Sequence, residues 1–204
     1  MKRATHGNLS LGSNVVELLL PQRRPFLMVD FVSSYSPEPV PTIEAGRHIS
    51  ANETVFDGHF PGLHMWPGSF TIEGLGQAGV LLCVIENMRR FVSSEGGDPE
   101  TVLEELRNLD RGFRFHPAYR EAQAKAFLER FRAHQMWLAI GASVAMKFLG
   151  PVLAGSRLDY RVRWTEVVGD SVRFETEAYV ADALVASGTI TGVRVTSPIF
   201  TFGR

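Results

Sequence analysis

The chain has 204 residues, 45% hydrophobic and 21% charged, enough for one well-buried domain or one domain carrying a large insertion, and short of two. Its 21 basic and 22 acidic residues nearly cancel, so no global positive field points to nucleic acid or an anionic membrane as partner. The single cysteine, Cys83, excludes an internal disulfide; without a cysteine cluster for structural zinc, the composition favours a reducing, cytoplasmic setting. The longest apolar runs fall short of the roughly 18 residues a membrane span needs. Glu17 interrupts the only stretch that could serve as a signal core, so a soluble, unexported protein is expected.

Asn14 and Glu17 have capping-box spacing, and the apolar run behind them stops at Pro21, which predicts a short opening helix. Residues 25–32 read as a strand, 37–41 as a turn-rich connection and 42–50 as a second strand. Residues 56–68 are dense in Gly, Pro and His, which is loop chemistry. The proline-free stretch 69–91 predicts a largely buried helix. Gly74, Gly76 and Gly79 within it each cost about 1 kcal/mol against alanine, so a closely packed neighbouring backbone is expected. Further on, 157–166, 172–181 and 184–195 alternate as strands, with Asp182 and Ala183 at a hairpin tip. A central helix followed by an antiparallel meander is an α+β pattern.

Residues 93–136 stand apart. Asp98-Pro99 suits a helix start, with Val102, Leu103, Leu106 and Leu109 at helical spacing until Gly112. A second helix is expected from Pro117, carrying Ala122, Ala126, Phe127 and Phe131, with Glu121 and Lys125 as an i,i+4 pair. Residues 93–110 hold six acids and one base, whereas 111–136 hold six bases and two acids. A helical hairpin covering apolar surface accounts for this pattern; a lid or partner-docking surface is the alternative.

Three features could carry chemistry. Gly74-Leu-Gly-Gln-Ala-Gly79 has the glycine spacing of a dinucleotide-binding turn, with Glu95 and Asp98 near the ribose-binding position. The preceding residues are too few and too polar for the buried strand that motif requires, so no nucleotide cofactor is expected. His59 and His64 lack the partners of a zinc site, so no metal is expected. Ser69 has no nucleophile elbow, and its hydroxyl reads as a helix-start group.

The third feature is His59-Phe-Pro-Gly-Leu-His-Met-Trp-Pro-Gly-Ser-Phe-Thr-Ile-Glu73, continuing to Gln77. A histidine in a tight loop is followed by Pro67-Gly68 feeding a helix start, where free backbone N–H groups carry partial positive charge. A carboxylate follows about a turn and a half in. One segment thus holds a base (His59), an oxyanion donor (the Gly68 N–H) and an acid (Glu73).

This segment resembles the signature of the FabZ-type 3-hydroxyacyl-acyl-carrier-protein dehydratases, which runs His-Phe-Pro-Gly, a few variable residues, Met-Pro-Gly, then Glu-Ala-Met-Ala-Gln. His59, Phe60, Pro61, Gly62, Pro67, Gly68, Glu73 and Gln77 match without a gap. Leu19-Leu-Pro-Gln-Arg-Arg-Pro-Phe-Leu-Met-Val-Asp30 is similar to the family's opening, and Met146-Lys-Phe-Leu-Gly-Pro-Val-Leu-Ala-Gly155 to one of its strands. Trp66 replaces the usual methionine, Leu63 and His64 replace His-Pro, Gly74 and Gly76 replace alanines, and Leu149 and Gly150 replace arginines.

The resemblance implies a hot-dog fold, a sheet wrapped around one long helix, over residues 1–204 as a single domain with 93–136 inserted. It implies homodimers, often trimers of dimers, with each site built from His59 of one chain and Glu73 of the other; a heterodimer with another dehydratase subunit is a variant of this. The implied reaction is loss of water from a 3-hydroxyacyl thioester carried on the phosphopantetheine of an acyl carrier protein, with no other cofactor, in fatty-acid or specialised polyketide or polyene synthesis. His59 would take the α-proton, Gly68 would hold the thioester oxyanion and Glu73 would protonate the leaving hydroxyl, with Gln77 orienting Glu73. An apolar environment is the physical means by which such a carboxyl keeps its proton. Arg23, Arg24, Arg89, Arg90 and Lys147 are candidates for carrier contact. A hot-dog acyl thioesterase and a non-catalytic partner subunit are the alternatives.

Overall fold

In the computed structural model, which describes residues 9–115, 124, 126, 127, 129–131 and 138–195, the elements in chain order are α1 (Ser13–Leu19), β1 (Phe31–Ser36), β2 (Thr42–His48), a 3-10 turn (Thr54–Asp57), α2 (Gly68–Ser94), α3 (Glu100–Phe115), β3 (Leu138–Phe148), β4 (Arg157–Val168), β5 (Ser171–Val180) and β6 (Ala183–Val195). The six strands form one antiparallel sheet in the order β1-β2-β4-β5-β6-β3. The 27-residue α2 packs on β2, β3, β4 and β5, the helix-on-sheet arrangement of a hot-dog fold. By length and composition α2 could cross a membrane, although its separate apolar runs looked too short. Within the fold, 61% of its most apolar 18-residue window is buried, and its hydropathy is that of a core helix.

Period-two patterning explains why the sheet has one face for α2. Leu158, Tyr160, Val162 and Trp164 of β4 and Val172, Phe174, Thr176 and Ala178 of β5 are buried, while the residues between them are largely exposed. The outer face is charged and in register: Arg161 stands opposite Glu44 and Glu177, and Arg163 opposite Glu175. The Arg161–Glu44 and Arg163–Glu175 pairs close to 2.9 Å. Exposed pairs of this kind add little stability.

Several sequence expectations shift. The opening helix starts at Ser13, its N-cap is Gly12, and no side chain caps it, so Asn14 and Glu17 do not form a capping box. The expected strand at 25–32 begins only at Phe31. Leu27, Met28 and Val29 are buried in succession rather than alternately, and the Met28 N–H goes to the Gln77 side chain instead of a neighbouring strand. The family-like strand at 146–155 ends at Phe148; beyond it the chain turns, and Leu153 bridges to Met65. Of the three helix glycines, only Gly74 meets a close obstacle, the Tyr160 side chain rather than backbone. Gly79 has ordinary contact with Phe174, and a Cβ at Gly76 would meet nothing.

The insertion is part of the core. Val102, Leu103, Leu106 and Leu109 of α3 are buried, as are Ala124, Phe127 and Phe131 in the helical residues that follow. Phe131 packs edge-on against Phe91 of α2. Arg130 of the basic half pairs with Glu105 of the acidic half. The expected residues 117–123 and the Glu121–Lys125 pair lie outside the described residues.

Asp110, 8% exposed, accepts the Gly12 N–H at 2.6 Å and pairs with Arg114 at 2.6 Å. The inserted helix thereby anchors the start of α1. Asp110→Ala should cost about 1–3 kcal/mol in urea denaturation, since it removes the acceptor of a part-buried N–H. A change below about 0.5 kcal/mol, the range of neutral surface substitutions, would dismiss this anchor.

Candidate active site

The His59 loop is a tight turn with a chemical reason for each residue. Phe60 and Leu63 exchange backbone hydrogen bonds at 2.9 and 2.8 Å across Pro61 and Gly62. Pro61 suits the first corner, and Gly62 takes φ +81° at the second, where a side chain would be strained. The His59–Phe60 peptide is cis, and the His59 ring stacks on Phe60 with centroids 4.2 Å apart. The loop is pinned to the segment after β3 by Trp66 N–H to the Val152 carbonyl (2.8 Å) and Ala154 N–H to the His64 carbonyl (3.0 Å).

His59 Nδ1 lies 2.9 Å from the Met65 carbonyl oxygen. A carbonyl can only accept, so Nδ1 carries the hydrogen, and in the neutral ring Nε2 is left with its lone pair free to take a proton.

Next to this ring is a cavity of about 580 Å³, lined by His59, Trp66, Gly68, Phe70, Phe148 and Val152 among others. Gly68 begins α2, whose N-terminus has no side-chain cap and no acidic residue in its first turn. The open N–H groups and positive dipole end therefore meet the cavity wall with no acidic residue of the first turn to neutralise them. The Phe148 ring lies over Gly68 so closely that a Cβ there would stand 2.7 Å from it. The aromatic cover, as well as the backbone donor, thus requires glycine.

Glu73 does not line that cavity. It is half-buried, and its Oε1 accepts from Gln77 Nε2 at 2.8 Å. Gln77, 1% exposed, also donates to the Phe26 carbonyl and accepts the Met28 N–H, both at 2.7 Å. It is a clamp between α2 and the irregular segment 26–28. Tyr160 packs against Gly74, the residue after Glu73, and explains glycine at that position. Burial pushes the Tyr160 hydroxyl above its ordinary pKa, so it stays neutral.

Within one chain, His59 and Gly68 thus share a cavity, Glu73 and Gln77 share a clamp, and Phe60, Pro61 and Gly62 shape the loop. The dinucleotide-like glycines 74 to 79 lie in the interior of α2, where no turn can cradle a phosphate. Of the basic candidates, Arg89 is 9% exposed and bound to Glu100 and the Pro99 carbonyl, which removes it from a docking role. Arg90 pairs with Glu86 and lies over the Trp164 ring. Arg23, Arg24 and Phe26 are exposed beside the clamped segment, and Lys147 is exposed on β3.

One residue at the site was missed. Arg47 is buried, and it falls on the inward parity of β2 with Ile43 and Ala45. An arginine at that parity is the signal that could have found it.

Residues 20–100 match the FabA-like domain family. The chain is 33% identical over 175 residues to the 3-hydroxyacyl-acyl-carrier-protein dehydratase FabZ of Wolinella succinogenes, covering 86% of this chain and 89% of that one. It is 31% identical over 179 residues to the protein of the same name from Campylobacter concisus, covering 87% and 94%. Among solved structures, the dehydratase heterocomplex ApeI:P from Xenorhabdus doucetiae superposes with a TM-score of 0.53 at 16% identity, covering 88% of this chain and 90% of that one. At that identity the likeness concerns the fold.

Proposed function

The chain belongs to the FabZ family of 3-hydroxyacyl-acyl-carrier-protein dehydratases, a family of hydro-lyases, and from that membership we propose that its site removes water from 3-hydroxyacyl thioesters on an acyl carrier protein to give trans-2-enoyl thioesters. The observation that carries the assignment is the His59 hydrogen bond to the Met65 carbonyl, which leaves Nε2 as a base at the wall of an apolar cavity.

Nε2 takes the α-proton, and its electrons pass into the forming C=C as charge gathers on the thioester oxygen. That oxygen is held by the Gly68 N–H at the dipole end of α2. Gln77 occupies Oε1 of Glu73, so Oε2 carries the proton that joins the departing hydroxyl as water. His59 ends as imidazolium and Glu73 as carboxylate, and one proton transfer resets both.

Within one chain the cavity contains His59 and lacks Glu73, which supports a site whose acid comes from a second copy. Strand β3 suits that contact. The far edge of the sheet is covered where Leu11 pairs with Val32, whereas β3 is an edge strand with Ile140, Val144 and Phe148 exposed at 46, 47 and 53%. An uncovered apolar edge is an assembly surface or a liability. Arg23 and Arg24 are the carrier-facing charges, and a cytoplasmic location fits the single buried thiol. A specialised polyketide or polyene pathway is the finer reading, supported by the ring lining of Trp66, Phe70 and Phe148 and by the insertion.

The test is mass spectrometry of 3-hydroxyacyl carrier proteins of several chain lengths, saturated and unsaturated, incubated with the protein. The expected product is 18 mass units lighter, the loss of one water, and still attached to the carrier. Released free acid with carrier thiol would indicate a thioesterase, and an unchanged carrier across all chains a non-catalytic subunit.

A further inference from the structure

Arg47 lies on the inner face of β2, in contact with Leu27, Glu53 and Trp66, with its side chain only 11% exposed. One guanidinium nitrogen donates to the Leu27 carbonyl. The other donates to Glu53 Oε1 at 2.6 Å, and the guanidinium centre lies 5.0 Å from the centroid of the Trp66 ring. Its Nε has no hydrogen-bond partner among the described residues. A buried charge held this way must serve its neighbours, because its desolvation is costly.

Each neighbour leads to a different part of the site. Leu27 lies between Phe26 and Met28, whose backbone groups are held by the Gln77 side chain that also holds Glu73. Glu53 opens the 3-10 turn, and the Val55 carbonyl in that turn accepts the His59 N–H at 2.9 Å. Trp66 follows Met65, whose carbonyl fixes the His59 tautomer, and precedes Pro67-Gly68. Arginine can serve all three at once because its planar fork donates in two directions and stacks by its face; an ammonium group can do only one of these well.

We infer that Arg47 is a positioning residue for the proposed dehydration, holding the His59 and Gly68 loop in register with the segment that clamps Glu73. The inference rests on the dehydratase reading for its kinetic consequence and on the contacts alone for its structural one. A shift of about 1 Å at a reacting group can cost around 100-fold in rate.

Arg47→Lys, Arg47→Met and Arg47→Met with Glu53→Gln are compared with wild type on a 3-hydroxyacyl carrier protein, well below their unfolding temperatures. Amide hydrogen exchange is followed at Met28 and Trp66. Arg47→Met should lower kcat about 100-fold and Arg47→Lys about 10-fold, with KM within about threefold. Both amides should exchange faster while the strands of the sheet keep their protection. If Arg47→Met does not fold because Glu53 is left part-buried and unpaired, the lysine and double variants decide. A folded variant with kcat within twofold of wild type, or unchanged exchange at either amide, overturns the inference. A wild type that dehydrates no substrate sinks the dehydratase reading instead, and the exchange data still decide whether Arg47 ties the two segments together.

Discussion

His59→Ala and Glu73→Gln should each lower dehydration about 10²–10⁴-fold, the range for removing a positioned acid or base, while a co-expressed mixture of the two regains about a quarter of wild-type activity through mixed dimers. In the proposed dimer each site takes His59 and Gly68 from one chain and Glu73 from the other. Random pairing makes about half of the dimers mixed, and each of these has one intact site and one doubly damaged site. If His59 and Glu73 of the same chain worked together, every site in the mixture would lack one group and activity would stay at the level of the single variants. The physical basis is the separation of the two groups here: His59 faces the cavity, and Glu73 is turned to Gln77 outside it. The measurement is enoyl-thioester formation by the co-expressed mixture; purification through a separate tag on each variant, which isolates the mixed dimers, should raise the recovery to about half. Full activity in either single variant would remove that residue from the mechanism.

Gln77→Leu is expected to be the most damaging single substitution for stability near the site. The change keeps side-chain volume but deletes three hydrogen bonds, to Met28, Phe26 and Glu73, at a residue 1% exposed. Two backbone groups are then left without partners, each costing about 1–3 kcal/mol, against a total stability of about 5–15 kcal/mol for a domain. Segment 26–28 has no strand ladder to fall back on, because β1 begins only at Phe31. Urea denaturation should show a loss of about 2–6 kcal/mol, and kcat should fall even where the variant remains folded, since Glu73 loses the partner at Oε1. A loss under about 0.5 kcal/mol with normal kcat would mean that a rearranged backbone replaces the clamp, a result typical of unremarkable surface sites.

Local chemistry written in consecutive residues was legible before the fold. Pro61 and Gly62 specify a turn whatever surrounds them, Pro67-Gly68 opens a helix, and strands separated by turns mark the antiparallel meander. The family likeness rested on that same short segment, so His59, Gly68, Glu73 and Gln77 could be named without coordinates. The opening strand was misread because Leu27, Met28 and Val29 are apolar in a row, and nothing local reveals that a glutamine some fifty positions later holds their backbone. Gly74 invited the expectation of a close backbone, whereas the obstacle is a tyrosine from a distant strand. Asp110 looks like one more acid in an acidic run, yet it accepts the Gly12 N–H at the start of a helix 98 residues earlier in the chain.

By itself, then, the sequence determined the turn, the helix start, the run of strands and the order of the candidate groups along the chain, because these depend on φ preferences, missing Cβ atoms and turn chemistry over a few residues. Only the tertiary structure decided that His59 lines an apolar cavity with Nδ1 held by the Met65 carbonyl, that Glu73 lies outside it under the Gln77 clamp, and that the charge-split insertion is folded into the core. Those outcomes depend on buried polar groups finding partners, and the partners come from segments that only folding brings within 3 Å.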